Sequence, residues 1–256
     1  MIRRDHVNAN GLACWVLISQ QDHARLAGEL ALSWGAAPWT ELPVKETFLP
    51  TIFRHDDGWN GWDAEPDVDG ETGRPVDFTE MELATAQSIW RNSIDSVADL
   101  GPLAQYLVAG HFVALRQRSD ESDEYRNSSF IDEFSQRCDQ WLTAWTAQFS
   151  QATTADALTA LEMLQVFDLI SLWFCCAERS ESRSIQTAGG ITLELAPLDS
   201  AHVAVSPWPW TVDEIVLTVV GRCVPACNYS SRQELAVCPS EQVQLRWTLT
   251  PAESPE

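Results

Sequence analysis

His55 and Asp56 stand side by side in Ile52-Phe53-Arg54-His55-Asp56-Asp57-Gly58-Trp59, at the end of an apolar helical run. Imidazole and carboxylate are strong donors to a metal ion. Of the five histidines, His23 and His111 also fall inside strongly apolar helical patterns. So does one carboxylate, Asp168, within Gln165-Val166-Phe167-Asp168-Leu169-Ile170-Ser171-Leu172-Trp173-Phe174. An ionised carboxylate in such a helix needs an arginine, a cap on a neighbouring helix or a cation, because burial without a partner costs several kcal/mol. A single histidine on an apolar face is ordinarily a hydrogen-bonded core residue. Three histidines and two acids, each polar in apolar helical surroundings, are more readily satisfied together, and a shared cation satisfies all of them. Gly110, beside His111, removes bulk as close approach of another group requires.

The elements that must position these residues follow from periodicity and punctuation. Leu12 to Ser19 reads as a short strand, and Ser19 then caps a helix with Asp22 in the capping-box position. His23, Ala27, Leu30 and Trp34 recur on one face of that helix. A second helix is expected from Glu46 to Asp57, with Gly58 as its stop. Trp59 to Phe78, rich in Trp, Gly, Pro and Asp, reads as a long ordered loop. Helices are expected over Met81–Ala98, Pro102–Arg118, Asn127–Phe149 and Ala155–Ala177, the last apolar nearly all round and therefore central. Beyond the polar run Glu178 to Ser184, strand-like segments appear at Ile191–Leu195, His202–Val205, Ile215–Val220 and Val243–Leu249. The expected architecture is a mainly α body over residues 1–180 with a small C-terminal antiparallel β extension over residues 181–256, joined by the N-terminal strand. That sheet would serve for docking or homodimerisation.

The bulk numbers restrict partners. A formal net charge of −21 on 256 residues repels nucleic-acid phosphates and anionic lipid. With 45% hydrophobic residues the chain can build a large core. Lys45 is the only lysine among 16 basic residues, which reads as composition bias or as a preference for forked contacts. Seven irregularly spaced cysteines suggest no disulfide framework, and Cys223 and Cys227 lack a second pair with zinc-site spacing. No apolar signal core follows Met1-Ile2-Arg3-Arg4, and no run of 18 apolar residues occurs. The expected setting is the reducing cytoplasm.

The order His23, His55-Asp56, Asp168 resembles the H…HD…D signature of the HD-domain superfamily of metal-dependent phosphohydrolases. His55-Asp56-Asp57-Gly58 is similar to that superfamily's HDxG at a helix end, and Val166-Phe167-Asp168-Leu169 resembles its late aspartate helix. The segments QQDHARLAG, HDDGWNGWD, TGRPVDF and Pro207-Trp208-Pro209-Trp210 further resemble a bacterial family labelled only as a domain of unknown function. The resemblance implies an all-helical fold in which His23, His55, Asp56 and Asp168 hold one divalent transition metal (Mn, Fe, Ni, Co or Zn). It implies His111 as the extra ligand of two-metal members, although the further histidines of that pattern are lacking, so one ion is expected. The implied activity is hydrolysis of a small phosphorylated molecule, a nucleotide included. Asp57 would assist as base and Arg54 would meet phosphate charge; Asp22, Arg74 and Arg91 are weaker candidates for such roles. Trp59, Trp62 and Phe78 would stack on a ligand or roof the core. The alternatives are a di-iron oxygenase on the same ligands, or a protein that only binds metal or metabolite.

Overall fold

The computed structural model describes residues 1–39, 41–118, 129–176 and 181–252. The expected helix ends at Asn127 and Ala177, and Glu178 to Ser180 of the polar run, lie outside the described residues. Strand β1 (Ile2–Val7) turns into β2 (Ala13–Ile18), followed by helices α1 (Gln20–Leu32), α2 (Lys45–Arg54), α3 (Asn60–Ala64), α4 (Leu83–Ser96), α5 (Pro102–Arg118), α6 (Ser129–Gln148) and α7 (Thr154–Cys176). Then come β3 (Arg183–Gln186), β4 (Thr192–Pro197), β5 (His202–Ser206), β6 (Ile215–Pro225), a short α8 (Arg232–Val237) and β7 (Glu241–Pro251).

All seven strands form one sheet in the order β1-β2-β6-β7-β5-β4-β3. Every neighbouring pair is antiparallel except β5 with β7, which run parallel. This overturns the expectation of a mainly helical body carrying a small β extension: the chain is 48% helical and its sheet is a mixed half-barrel. The physical reason is that pairing is non-local. Strand β2 finds its partner in β6, with Val16 opposite Cys223, some two hundred residues on. Strand β1 reads Ile-Arg-Arg-Asp-His-Val, with too little alternation to stand out alone, although its backbone pairs with β2 throughout.

The sheet is covered on both faces, which explains why Cys14 to Ile18 of β2 are buried without interruption. One face carries Ile2, Val16, Ile18, Leu217, Val219 and Leu249 into a core shared with α1 and α7. On the other face Trp15, Leu17 and Val224 pack with Tyr229 and Leu235, beneath α8. Helix α1 is also fastened to the sheet by a hydrogen bond from Arg25 Nη2 to the Thr218 carbonyl at 2.5 Å.

Helix α7 is the centre of the molecule, packing against α1, α5 and β1. Its apolar circumference is explained by these neighbours on several sides. It is the one helix among the described residues long and apolar enough to cross a membrane, and over half of its apolar window is buried inside the protein. Arg4 of β1, itself buried, donates from Nη1 to the Phe174 carbonyl at 3.0 Å and so caps the last turn of α7. The Pro207–Trp210 segment is a packed connection: Trp210 is buried and donates its indole N–H to the Leu30 carbonyl at 2.7 Å.

Candidate metal centre

Helix α1 begins where Ser19 accepts a hydrogen bond from the Asp22 amide, and this cap places His23 on the first inward-facing turn. Helix α2 ends at Arg54, short of the expected Asp57; His55 forms its C-cap and Asp56 leads into a single 3-10 turn over Asp57–Trp59. That break turns His55 and Asp56 inward together. Gly58 is required by close approach: a Cβ there would collide with the Ile89 carbonyl and with Ser93 of α4. The Gly58 amide instead donates to Ser93 Oγ at 3.1 Å. Gly110 serves similarly, since a Cβ would come within 2.8 Å of Leu161 on α7. It lets α5 bring His111 up to Asp168.

Five side chains distant along the chain converge. His23 Nε2 lies 3.1 Å from Asp168 Oδ1 and 3.6 Å from Asp56 Oδ2. His55 Nε2 lies 3.4 Å from Asp168 Oδ1 and 3.6 Å from Asp56 Oδ2. His111 Nε2 is 3.8 Å from Asp168 Oδ1. All five residues are buried. His23, His55 and Asp168 each offer a ligand atom within 4.8 Å of the others, so this group could hold a metal ion.

The far sides of two rings decide the chemistry. His55 Nδ1 lies 2.7 Å from the Ile52 carbonyl, which can only accept, so Nδ1 carries the hydrogen. His23 Nδ1 lies 2.7 Å from Ser171 Oγ, whose own hydroxyl donates to the Asp168 carbonyl at 2.9 Å, so His23 Nδ1 is again the donor. Both neutral rings therefore aim an Nε2 lone pair at carboxylate oxygens. Acceptor facing acceptor inside a buried site is unfavourable unless a cation or an added proton lies between them. Outward N–H groups fixed by backbone carbonyls or hydroxyls are also the usual support of ligating histidines.

Without a cation, protons take that place. Burial alone would lower the basicity of His55, but the charge of Asp56 and the hydrogen bond and charge of Asp168 outweigh it and raise its pKa to about 9. Burial would raise Asp168, yet His111, His23 and His55 hold it well below the ordinary carboxylate range. Asp56 is pushed up, chiefly by burial, with His55 and His23 opposing and Asp168 adding to the rise.

His23, Asp56, His111 and Asp168 line a pocket of about 330 Å³ whose walls also include Trp59, Phe78, Trp90, Phe112, Leu115 and Leu172. Phe78 sits in a loop fastened to β1: its amide donates to the Met1 carbonyl at 3.0 Å, and the Arg3 amide donates to Asp77 Oδ2 at 2.8 Å. Gln20, one turn before His23, also lines the pocket; its Oε1 is buried without a hydrogen-bond partner among the described residues. Neither Gln20 nor Ser171 was among the expected site residues. Their spacing was a usable signal, three before His23 and three after Asp168.

The expected catalytic pair lies elsewhere. Arg54 Nε meets Asp57 Oδ2 at 3.2 Å, its Nη1 meets Asp99 at 3.0 Å, and its Nη2 donates to the Ser96 carbonyl. Neither Arg54 nor Asp57 lines the pocket, and together they brace the end of α2 against the end of α4. Arg91 pairs with Glu133 at 2.6 Å and lies over the rings of Phe130 and Phe134. Trp62 packs on the opposite face of the sheet, against the Trp15 cluster. Asp22 hydrogen-bonds Ser19 within the helix cap.

Fold and site together define an α/β protein with a buried histidine–carboxylate cluster lining an apolar pocket. The chain belongs to the family described as Protein of unknown function (DUF3891), whose model matches residues 1–226. No curated protein and no solved structure matches. The resemblance to the HD-domain superfamily is thereby corrected. The matching family is a different one, and a seven-stranded sheet built from residues 2–18 and 183–251 has no place in an all-helical fold.

Proposed function

We propose that this protein is a metal-dependent hydrolase of a small phosphorylated molecule, with one divalent transition metal held by His23, His55, Asp56 and Asp168. One observation carries the reading: two imidazole lone pairs, fixed by Ser171 and the Ile52 carbonyl, face two buried carboxylates. Mixed imidazole and carboxylate donors suit Mn, Fe, Ni, Co or Zn better than Ca. Such an ion lowers the pKa of a coordinated water and polarises a phosphoryl oxygen. The protein's own part is to orient and to exclude. Ser171 and Ile52 hold the rings, Gln20 offers its orphaned carbonyl to a donor at the pocket floor, and the aromatic walls keep bulk water out. His111, whose Nε2 lies 3.8 Å from Asp168 Oδ1, would offer this ion a further donor. Seven free thiols and an acidic surface fit a reducing, cytoplasmic setting without nucleic-acid or membrane partners.

Elemental analysis of protein purified under metal-replete conditions, paired with a phosphoester panel, tests the proposal. The expected result is one transition metal per chain, lost in Asp168→Asn, and ester hydrolysis that a chelator abolishes. A wild type that takes up no metal overturns the proposal altogether. A metal-loaded protein inert toward every ester leaves a binding protein in its place.

A further inference from the structure

We infer that the substrate is a small amphipathic monoester, a single phosphate on an apolar or aromatic alcohol, and not a nucleotide polyphosphate; this rests on the phosphohydrolase reading above. The pocket beside the cluster, about 330 Å³, is at the small end of the roughly 300–1,000 Å³ typical of ligand sites. Its walls are aromatic and aliphatic. Trp90 and Phe112 stack on each other, with ring centroids 5.4 Å apart and an interplanar angle of 14°, so each holds the other in the wall. An apolar body laid there gains by leaving water, and an aromatic one gains further from ring contact.

The charge inventory points the same way. Beyond the histidines of the cluster, the one cationic side chain in the lining among the described residues is Arg116, which is buried and already partnered within the protein. Arg54 and Arg91, the arginines nearest in sequence to the wall tryptophans, are committed to acidic partners outside the pocket. A nucleoside triphosphate brings several negative charges that this lining does not meet, into a protein already carrying a net −21. One phosphate at the cluster, followed by an uncharged body, is matched at both ends. In the reaction a water oxygen bonds to phosphorus, the ester P–O bond breaks toward the alcohol oxygen, and a proton passes from the water to that oxygen. The products are the alcohol and inorganic phosphate.

The test compares 1-naphthyl phosphate, glucose 6-phosphate and ATP on the metal-loaded protein. Binding of 1-naphthylphosphonate, which cannot be hydrolysed, is followed in parallel by calorimetry. The expected outcome is a kcat/KM at least about tenfold higher for the naphthyl ester, and phosphonate binding about tenfold tighter than inorganic phosphate. Leu115, a wall residue that is 40% exposed and so tolerant of replacement, supplies the variant. Leu115→Asp should raise KM for the naphthyl ester about tenfold while metal content and kcat hold. ATP or the sugar phosphate turned over as well as the naphthyl ester overturns this inference and leaves the hydrolase reading intact. Phosphonate binding no tighter than phosphate, or an unmoved KM in the variant, also overturns it. No hydrolysis of any ester defeats the hydrolase reading first and the inference with it.

Discussion

At the scale of single residues, the centre depends on groups that never touch a ligand. Ser171 fixes which nitrogen of His23 is free, and that control is separable from donor chemistry. Ser171→Ala should keep the fold, seen by circular dichroism, and weaken metal binding about 10- to 100-fold in a competition titration with a chelating dye. Unchanged affinity would show that the ring needs no such guide. Protonation gives a second handle. His55 in the metal-free protein has its pKa raised from 6.5 to about 9, so its proton contributes stability that is fully present below about pH 6.5 and lost as pH rises through about 9. An ion bound by His55 would replace that proton. The gap in thermal midpoint between metal-loaded and metal-free protein should therefore widen across this window, with protons released on loading. A constant gap would show that no such proton is held. Much at this scale was legible in advance, because His23, His55, Asp56, His111 and Asp168 are conspicuous as polar residues within apolar periodicity. Ser171 and Gln20 carried only a spacing signal, three residues after Asp168 and three before His23, since serine and glutamine are ordinary anywhere on a helix.

At the scale of elements, the decisive piece is the break between α2 and the Asp57–Trp59 turn. Sequence periodicity ran the helix on to Asp57, because nothing in Arg54-His55-Asp56-Asp57 opposes helix; the tertiary ties of Arg54 and Gly58 end it instead. Gly58→Ala tests this. A methyl group has no room against Ile89 and Ser93, so the variant should lose about 1–3 kcal/mol in urea denaturation and bind metal more weakly as α4 is pushed away. Equal stability would mean that α4 yields without cost. The long helices were readable from their apolar periodicity, whereas the short α3, within the stretch read as a loop, and α8 were not, since α3 buries no residue and α8 buries only Leu235. Strands β2, β4, β5, β6 and β7 were readable too, but β1 and the four-residue β3 were not, because they have little pattern apart from their neighbours, and the joining of all seven into one sheet is non-local.

At the scale of the whole molecule, the sheet binds the first and last parts of the chain into one structure. Strand β2, which carries the edge strand β1, completes its hydrogen bonding through β6, and Ile18, Phe167, Leu217 and Trp247 share one core. A fragment ending at residue 180 leaves the β6-facing edge of β2 and the sheet-facing side of α1 bare. It should lack a cooperative unfolding transition and aggregate, whereas the full chain should unfold in one step by calorimetry. A fragment that melts cooperatively would show that the helical part is self-sufficient.

The bond from Arg25 to the Thr218 carbonyl has a further consequence. Helix α1, which carries His23, is seated on a strand translated almost two hundred residues later, so a growing chain on the ribosome has no finished cage. An ion held by this group would therefore be selected after synthesis, by a buried set of donors. Its identity would then reflect which metal the surrounding pool offers a completed protein, and not which binds an unfolded chain most avidly.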